Sequence, residues 1–163
     1  MSNDPAAPAR RNYKPLHDLP LKRGTREETM RTFVDAVWEA FRNAGVSWVG
    51  FYTTQGDEMW LGPRRDKPAC SPIGMHGACG QAVTRRQALV IHDVRRLGEA
   101  YVACDPRDMA ELVIPLFEND QCWGVLDVDS FDVNAFSTRD AAEMTELLLN
   151  AGLTDRSAEN VEI

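Results

Sequence analysis

Two strand patterns joined by a short polar turn constrain the fold of this chain more than any other feature. Glu111–Phe117 (ELVIPLF) and Gln121–Asp129 (QCWGVLDVD) are rich in branched and aromatic apolar residues, which favour β-strands. The intervening Glu118-Asn119-Asp120 offers residues that form turns, so the three segments together predict a β-hairpin. Strands joined by so short a turn run antiparallel, and an antiparallel sheet is therefore the expected framework.

A second hairpin, one further strand and three helices complete the pattern. Residues 46–54 (VSWVGFYTT) and 58–62 (EMWLG) flank the turn Gln55-Gly56-Asp57, and residues 88–94 predict another strand. The order of these elements predicts an α+β domain, with helices packed against an antiparallel sheet. Two of the three predicted helices open with capping-box spacing: one begins at Thr25 with Glu28 three residues on, and one begins at Ser137 with Asp140 three residues on. The third is a short helix around His76–Arg86.

The chain divides into one domain and two terminal segments. Residues 1–24 contain four prolines and no apolar period, so they are expected to form an arm that is flexible or draped over the domain. Residues 25–153 are the predicted domain, and residues 154–163 are expected to form a polar, frayed tail. Four apolar residues could pin the second half of the arm onto the domain: Tyr13, Leu16, Leu19 and Leu21.

Charge and composition narrow the range of partners and compartments. The net charge of −7 argues against nucleic acid or an anionic membrane surface as a partner. The first residues lack the apolar core of a secretory signal, and no stretch approaches the ~18 apolar residues of a membrane span. A cytoplasmic location is therefore expected, where thiols are kept reduced and the four cysteines serve catalysis, metal binding or packing.

Three of the four cysteines lie close together in a glycine-rich stretch. Cys70, Cys79 and Cys104 are expected on or beside loops, which favours redox or metal chemistry over packing. A zinc site built from these three thiols and His76 is an alternative, but the segment lacks a CxxC spacing and the alternative is disfavoured. Cys122 lies on a predicted strand and is interpreted as a packing residue.

Three carboxyl groups are expected on one face of the last hairpin. Asp127 and Asp129 alternate by two along a strand, and Glu111 can reach the same face from the adjacent strand. Such groups repel one another, which raises at least one pKa, and they attract a ligand ammonium group. Trp48 and Tyr52 also share one strand face and could wall an apolar part of a ligand, although aromatic residues at such positions are more often core.

Seven short motifs occur in order between Trp48 and Ser130. The motifs are Trp48-Val49-Gly50-Phe51-Tyr52, Leu61-Gly62-Pro63, Lys67-Pro68-Ala69-Cys70, Gly77-Ala78-Cys79-Gly80, Ala103-Cys104-Asp105, Glu111-Leu112-Val113-Ile114-Pro115-Leu116 and Gly124-Val125-Leu126-Asp127-Val128-Asp129-Ser130. Together they resemble the motifs of the GAF-domain free methionine-(R)-sulfoxide reductases. These enzymes reduce the R-sulfoxide of the free amino acid methionine, so the resemblance implies a GAF fold and this activity.

The resemblance also implies a role for each candidate residue. Cys104 corresponds to the attacking cysteine, Cys70 to the main resolving cysteine, and Cys79 to a supporting or alternative resolving cysteine. No bound cofactor is implied; a thioredoxin-like protein would reopen the disulfide, and a homodimer is plausible for the fold. A non-catalytic GAF module that senses a small molecule or redox state is the alternative function. The substrate-binding positions implied are Glu111, Asp127, Asp129, Trp48 and Tyr52.

Overall fold

Seven β-strands form one sheet in the computed structural model, which describes residues 11–101 and 104–163. The strands are β1 (Trp48–Gln55), β2 (Glu58–Arg65), β3 (Ile73–Gly74), β4 (Gln87–Ile91), β5 (Ala110–Glu118), β6 (Gln121–Ser130) and β7 (Glu159–Glu162). Their order across the sheet is β3-β2-β1-β6-β5-β4-β7. The strands β1, β6 and β5 are therefore central, and residues on them are held from both sides.

Both predicted hairpins are present. β1 pairs with β2, and β5 pairs with β6, each in antiparallel register. Asn119 and Asp120 connect β5 to β6 with φ angles of 50° and 70°. Positive φ at both central residues matches the right-handed twist of the flanking strands, and Asn and Asp tolerate this conformation better than most residues.

Helices pack on both faces of the sheet. The helix α2 (Arg26–Phe41) opens with the predicted capping box, in which the Thr25 side chain accepts from the Glu28 N–H and the Glu28 side chain accepts from the Thr25 N–H. Ser137 and Asp140 form the corresponding box at the helix α4 (Thr138–Asn150). The helices are α1 (Lys14–His17), α2 (Arg26–Phe41), α3 (Ala78–Arg85) and α4 (Thr138–Asn150), with a 3₁₀ segment over Val94–Ala100.

The sheet is mixed rather than wholly antiparallel, because the C-terminal segment joins it. β7 pairs with β4 in parallel, and the Ile163 N–H donates to the Val90 carbonyl at 2.8 Å. The prediction of a frayed tail is therefore wrong. The segment ENVE lacks an apolar alternation, so its strand conformation comes from the open edge of β4 rather than from its own sequence.

The described part of the N-terminal arm packs against the domain. Tyr13, Leu16 and Leu21 are buried, as the pinning hypothesis required, whereas Leu19 is 49% exposed. The Tyr13 hydroxyl donates to the Asp140 carboxylate at the start of α4. Flexibility is thus not a property of residues 11–24, and residues 1–10 of the predicted arm lie outside the described residues.

The two faces of the sheet differ in what they bury. The face toward α2 and α4, here called the core face, is lined by apolar strand residues: Val49, Phe51, Leu112, Ile114, Leu116, Leu126 and Val128. The opposite face, toward α3, is here called the site face; its apolar cluster includes Trp48, Tyr52, Val113 and Val125. Within residues 11–101 and 104–163, none of the helices has the length and apolar character needed to cross a bilayer.

Candidate active site

A disulfide bond joins Cys70 to Cys104. The two Cα atoms are 5.7 Å apart, within the range that a disulfide accepts. Both residues are exposed, and each lies on a loop rather than on a helix or strand. Cys79 and Cys122 are not in a disulfide. Of the three predicted redox cysteines, the structure thus pairs the two to which the resemblance assigned attack and main resolution.

The disulfide opens onto a cavity of about 270 Å³ on the site face. Strand register brings the three predicted carboxyl groups to its floor, because Glu111 on β5 lies directly opposite Asp129 on β6. Asp127 lies two residues before Asp129 on β6, so its side chain points to the same face of the sheet. The cavity is lined by both disulfide cysteines, Cys79, His76, the aromatic residues Trp48, Tyr52 and Tyr101, and the acids Asp108, Glu111, Asp127 and Asp129.

Burial raises the pKa values of this carboxyl cluster and so disfavours its ionised form. Glu111 and Asp127 are each only 5% exposed. Burial and the neighbouring Asp127 and Asp129 raise the pKa of Glu111 well above its ordinary value. Burial likewise raises the pKa of Asp127 and of Asp129. The cluster can therefore hold protons at neutral pH, and a cation that enters would favour the ionised form.

One oxygen of this cluster has no protein partner. Asp127 Oδ1 is fully buried and makes no hydrogen bond within the described part of the chain. A buried acceptor without a donor is destabilising by about 1–3 kcal/mol. Because Asp127 lines the cavity, a ligand donor placed there would satisfy this oxygen.

Asp108 is a fourth acid in the cavity, and the sequence patterns did not reveal it. It lies four residues after Cys104, is 7% exposed, and lines the cavity beside Glu111 and Asp129. Burial, together with the negative charges of Asp105 and Asp127, raises its pKa to about 7. Asp108 belongs to no strand or helix, so no periodicity indicated that its side chain would be buried.

Trp48 and Tyr52 do more than line the cavity. Trp48 Nε1 donates to the carbonyl oxygen of Lys67 at 2.8 Å, and the Tyr52 hydroxyl donates to the carbonyl oxygen of Cys70 at 2.8 Å. Both donors lie on the central strand β1. They therefore fasten the loop that carries Cys70 to the most constrained part of the sheet.

Gly50 allows the Trp48 indole to lie flat on the site face. A Cβ atom on Gly50 would overlap the indole, with Cζ2 of Trp48 and the Cβ of Arg64 both at 2.8 Å. Since no real Cβ atom tolerates such approaches, any side chain at position 50 would displace the indole. Gly50 lies opposite Asp127 in the register of β1 and β6, so the displacement would occur at the cavity itself.

Cys79 lies beside two of the carboxyl groups, Glu111 and Asp127, and lines the same cavity as the disulfide. It is on the first turn of α3 and is 4% exposed. Burial, and the adjacent Asp127 and Glu111, raise the pKa of its thiol well above the ordinary value. Cys79 is therefore held as a neutral thiol, a poor nucleophile in comparison with a thiolate.

The donor atoms available for a metal differ from those of the disfavoured zinc site. Cys70 and Cys104 are joined, so their sulfurs are not thiolate ligands in this state. Cys79, Glu111 and Asp127 each place one possible ligand atom within 4.8 Å of the others. Metal ligands must be deprotonated, however, and burial raises the pKa of all three groups, so this arrangement favours protonated groups over a metal centre.

The chain resembles proteins of known family in both sequence and structure. Residues 24–154 match the GAF domain family. The free methionine-R-sulfoxide reductase of Escherichia coli (strain K12) is 38% identical over 109 residues, which cover 66% of this chain and 65% of that protein. The chain thus spans about 65% of the length of that curated relative.

Two solved structures resemble a larger part of this chain than the sequence match to the Escherichia coli protein does. The structure of fRMsr of Staphylococcus aureus in its reduced form has a TM-score of 0.80 and 27% identity, covering 87% of this chain and 94% of that one. The free methionine-R-sulfoxide reductase from Neisseria meningitidis, in complex with its substrate, has a TM-score of 0.71 and 32% identity, covering 78% and 76%. The chain therefore belongs to the GAF-domain family of free methionine-R-sulfoxide reductases.

Proposed function

We propose that this protein reduces free methionine-(R)-sulfoxide to methionine. The observation that carries the proposal is the Cys70–Cys104 disulfide at the mouth of a carboxyl-lined cavity. Disulfide formation supplies the two electrons that the reduction needs. The net reaction converts one sulfoxide and two thiols into one thioether, one disulfide and one water.

The reaction begins with the dithiol form of the protein. The Cys104 thiolate attacks the sulfoxide sulfur, and the sulfoxide oxygen is protonated. The S–O bond of the substrate then breaks as the hydroxyl passes to the Cys104 sulfur, so that methionine leaves and Cys104 becomes a sulfenic acid. The Cys70 thiol then attacks the sulfenic sulfur, forming the disulfide and releasing water. Cys79, as a buried neutral thiol, supports the site and is the alternative resolving group.

The carboxyl groups bind the substrate and supply the proton. An amino acid ammonium group would pair with the cluster and donate to the unpartnered Asp127 Oδ1. Glu111 and Asp129 assist protonation of the sulfoxide oxygen, because their raised pKa values keep protons available at neutral pH. Asp108, with its pKa raised to about 7, adds a further group that can hold a proton there.

The aromatic residues select the other end of the substrate. Trp48 and Tyr52 are buried and line the same cavity as the disulfide. Their rings offer apolar surface for the methyl-thioether end, and sulfur makes favourable contacts with aromatic rings. A cavity of about 270 Å³ suits a free amino acid better than a residue within a folded protein.

A thioredoxin-like protein would return the disulfide to the dithiol. Both Cys70 and Cys104 are exposed, so the thiolate of a reductant could reach either sulfur. The need for such a reductant supports a cytoplasmic location. A homodimer is an expectation from the fold family, which sedimentation equilibrium would test.

The decisive experiment separates reduction of the sulfoxide from reduction of the resulting disulfide by thioredoxin. Fully reduced protein would be mixed with free methionine-(R)-sulfoxide, first without any reductant and then with thioredoxin, its reductase and NADPH. Without reductant, we expect one methionine per protein and formation of the Cys70–Cys104 disulfide, identified by mass spectrometry. With the complete system, we expect continuous oxidation of NADPH.

Two substrate analogues serve as matched controls. The S-isomer should not react, and N-acetylmethionine-(R)-sulfoxide, which lacks the ammonium group, should react at least about 10-fold more slowly because the buried carboxyl groups lose their partner. Binding of the free sulfoxide without any methionine release would overturn the catalytic proposal and favour the non-catalytic sensing module.

A further inference from the structure

Four side chains join the loop that carries Cys70 to the loop that carries Cys104. They are Lys67, Asp105, Arg107 and Phe131, here called the loop clasp. Lys67 lies three residues before Cys70, and Asp105 directly follows Cys104. The clasp therefore bridges the two loops at positions next to the reacting sulfurs.

The Asp105 carboxylate is the centre of the loop clasp. It accepts a hydrogen bond from Lys67 Nζ on the other loop. It also accepts from Arg107 Nη2 at 2.8 Å, from Arg107 Nε at 3.1 Å and from the Arg107 backbone N–H at 3.0 Å. These hydrogen bonds, first from Arg107 and then from Lys67, lower the pKa of Asp105 well below its ordinary value. The carboxylate is thus charged at any pH at which the protein works.

Phe131 gives both cations a common support. The Arg107 guanidinium lies 4.5 Å from the centre of the Phe131 ring, and Lys67 Nζ lies 5.6 Å from it. Phe131 directly follows the last residue of β6, and its ring is 40% exposed. An exposed aromatic ring at this point is explained by the two cations that it supports.

The side of the loop clasp that belongs to the Cys70 loop is fixed to β1. Trp48 on β1 holds the carbonyl oxygen of Lys67, so the Cys70 loop is anchored independently of the disulfide. Asp105 connects the Cys104 loop to that anchored loop through Lys67. The Asp105 side chain is 16% exposed and Lys67 is 39% exposed, so this contact is less screened than an ordinary surface pair.

We propose that the loop clasp positions the Cys104 loop beside Cys70 in the dithiol protein and thereby favours disulfide closure. In the reaction, the Cys70 thiol displaces hydroxide from the Cys104 sulfenic sulfur; an S–S bond forms, the S–O bond breaks, and the thiol proton leaves with the oxygen as water. The clasp acts only by raising the effective concentration of one sulfur at the other. Its role in turnover rests on the proposed function, whereas its effect on the disulfide equilibrium does not.

The equilibrium between the dithiol and the disulfide in glutathione buffers tests this proposal without any sulfoxide. The intact protein would be equilibrated in a series of oxidised and reduced glutathione ratios, and the Cys70–Cys104 disulfide would be quantified by alkylation and mass spectrometry. The variants are Lys67→Gln, Asp105→Asn and their combination. Asn retains the oxygen that accepts from the Arg107 backbone N–H, so the turn can persist while the charge is lost.

Two further variants provide controls of matched charge. Arg31→Gln removes one positive charge from α2, where Arg31 pairs with Glu27 and both side chains are 65% exposed. Arg107→Gln removes a contact of Asp105 within its own loop. We expect no effect of the first and a smaller effect of the second than of Lys67→Gln, because neither variant removes the bridge between loops.

The expected result is a disulfide equilibrium constant about 2- to 5-fold smaller in Lys67→Gln and in Asp105→Asn. The double variant should show no further loss, since both single changes remove the same ion pair. In the unaltered protein, about 1 M NaCl should weaken the disulfide by a similar factor, because salt screens a partly exposed pair. Unchanged constants in both single variants, or effects that add fully in the double variant, would overturn the proposal.

The same variants separate this proposal from the proposed function. If the glutathione equilibrium shifts as expected but no variant or wild-type protein releases methionine, the loop clasp stands and the catalytic proposal fails. If the wild-type protein reduces the sulfoxide but Lys67→Gln and Asp105→Asn leave the disulfide equilibrium unchanged, the catalytic proposal stands and the proposal for the loop clasp fails. Thermal unfolding of each variant in the reduced state checks that the fold is intact.

Discussion

The core face and the site face are built from the same three central strands, but only the site face combines its buried apolar residues with a cluster of acids. On β1, Phe51 is fully buried on the core face, and its neighbour Tyr52 is 2% exposed on the site face. Phe51 packs edge-on against Phe33 of α2, whereas the Tyr52 hydroxyl holds the loop of Cys70. One step along a strand thus separates a residue that stabilises the fold from one that shapes the site.

The same contrast holds for charge on β6. Leu126 and Val128 enter the apolar core, and the alternating Asp127 and Asp129 enter the cavity. The core face thus carries apolar burial that stabilises the fold, and the site face holds the acids. The predictions below therefore ask whether stability and chemistry can be changed separately, one face at a time.

The largest effect is expected from Cys104→Ser. Loss of the attacking thiol should lower kcat/KM for free methionine-(R)-sulfoxide at least about 10³-fold, because a serine hydroxyl cannot form the sulfenic intermediate. The thermal midpoint of the reduced variant should match that of the reduced wild type. Cys122→Ser is the matched control, since Cys122 does not line the cavity and its S–H donor to the Gly124 carbonyl can be replaced by O–H.

Phe51→Ala should show the greatest loss of stability. Truncation of this fully buried ring is expected to reduce the free energy of unfolding by about 3–5 kcal/mol, measured by urea denaturation. Activity per folded molecule should change little, because the ring lies on the core face. A large loss of kcat without loss of stability would contradict the separation of the two faces.

Tyr52→Phe is the complementary change one residue along the strand. It removes only the hydroxyl that holds the Cys70 carbonyl, so we expect a loss of stability of about 1 kcal/mol or less. Turnover should fall by about 5-fold, because the loop that carries Cys70 is less well fixed. Phe51→Ala would thus lower mainly the stability, and Tyr52→Phe would lower mainly the activity.

Asp129→Asn should lower kcat/KM by about 10- to 100-fold while leaving the fold intact. The change removes a carboxyl group that contacts the substrate and can give a proton to the sulfoxide oxygen, and loss of one hydrogen bond to a charged partner costs roughly 1.5–3 kcal/mol. It also removes a member of a cluster whose burial raises its pKa, so the free energy of unfolding at pH 8 should be unchanged or greater. Asp132→Asn, an exposed acid just beyond β6, is the control and should affect neither quantity.

The last prediction concerns the pH dependence of stability and Asp108. Its pKa is raised from 3.8 to about 7 in the folded protein, so the folded state holds a proton that the unfolded chain releases at lower pH. The free energy of unfolding therefore falls as pH rises between about 4 and 7. Asp108→Asn should remove about 1–2 kcal/mol of this fall, allowing for screening by solvent.

Urea denaturation at several pH values between 4.5 and 8 would measure this slope. The groups that face Asp108 include Asp105, Asp127, Glu111, Asp129, Lys67, Arg107 and Tyr101, and the other buried carboxyl groups keep their own contribution to the slope. Parallel curves for wild type and Asp108→Asn would contradict the assignment.

Much of this site could be predicted from strand period. The alternation of Asp127 and Asp129 placed both on one face. The short turn at Asn119-Asp120 does not by itself fix which residue of β5 lies opposite them, because the register shifts between Leu116 and Phe117 and only then brings Glu111 opposite Asp129. Strand period is a local property, so it can be recognised in the sequence. The capping boxes at Thr25 and Ser137 were predictable for the same reason.

What could not be predicted depends on contacts between distant segments. Asp108 is buried because the loops of Cys70 and Cys104 meet over the end of β6, and no pattern near Asp108 records that meeting. The strand β7 forms because β4 leaves an open edge, although Glu159–Glu162 alone favours no strand. Likewise, only the structure shows that Trp48 and Tyr52 hold a backbone loop in addition to lining the cavity.

The close approach at Gly50 has a consequence for how the substrate range of this cavity could change. The Trp48 indole sits where a side chain at position 50 would otherwise be, and the same indole fixes Lys67. A single methyl group added there would tilt the Trp48 indole, which forms part of the cavity wall, and would loosen the anchored loop at the same time, although no residue that lines the cavity would have been replaced. A single substitution at position 50 could therefore change the shape of the pocket during evolution. We expect such a substitution to disturb the pairing of Cys70 with Cys104 more than the stability of the fold.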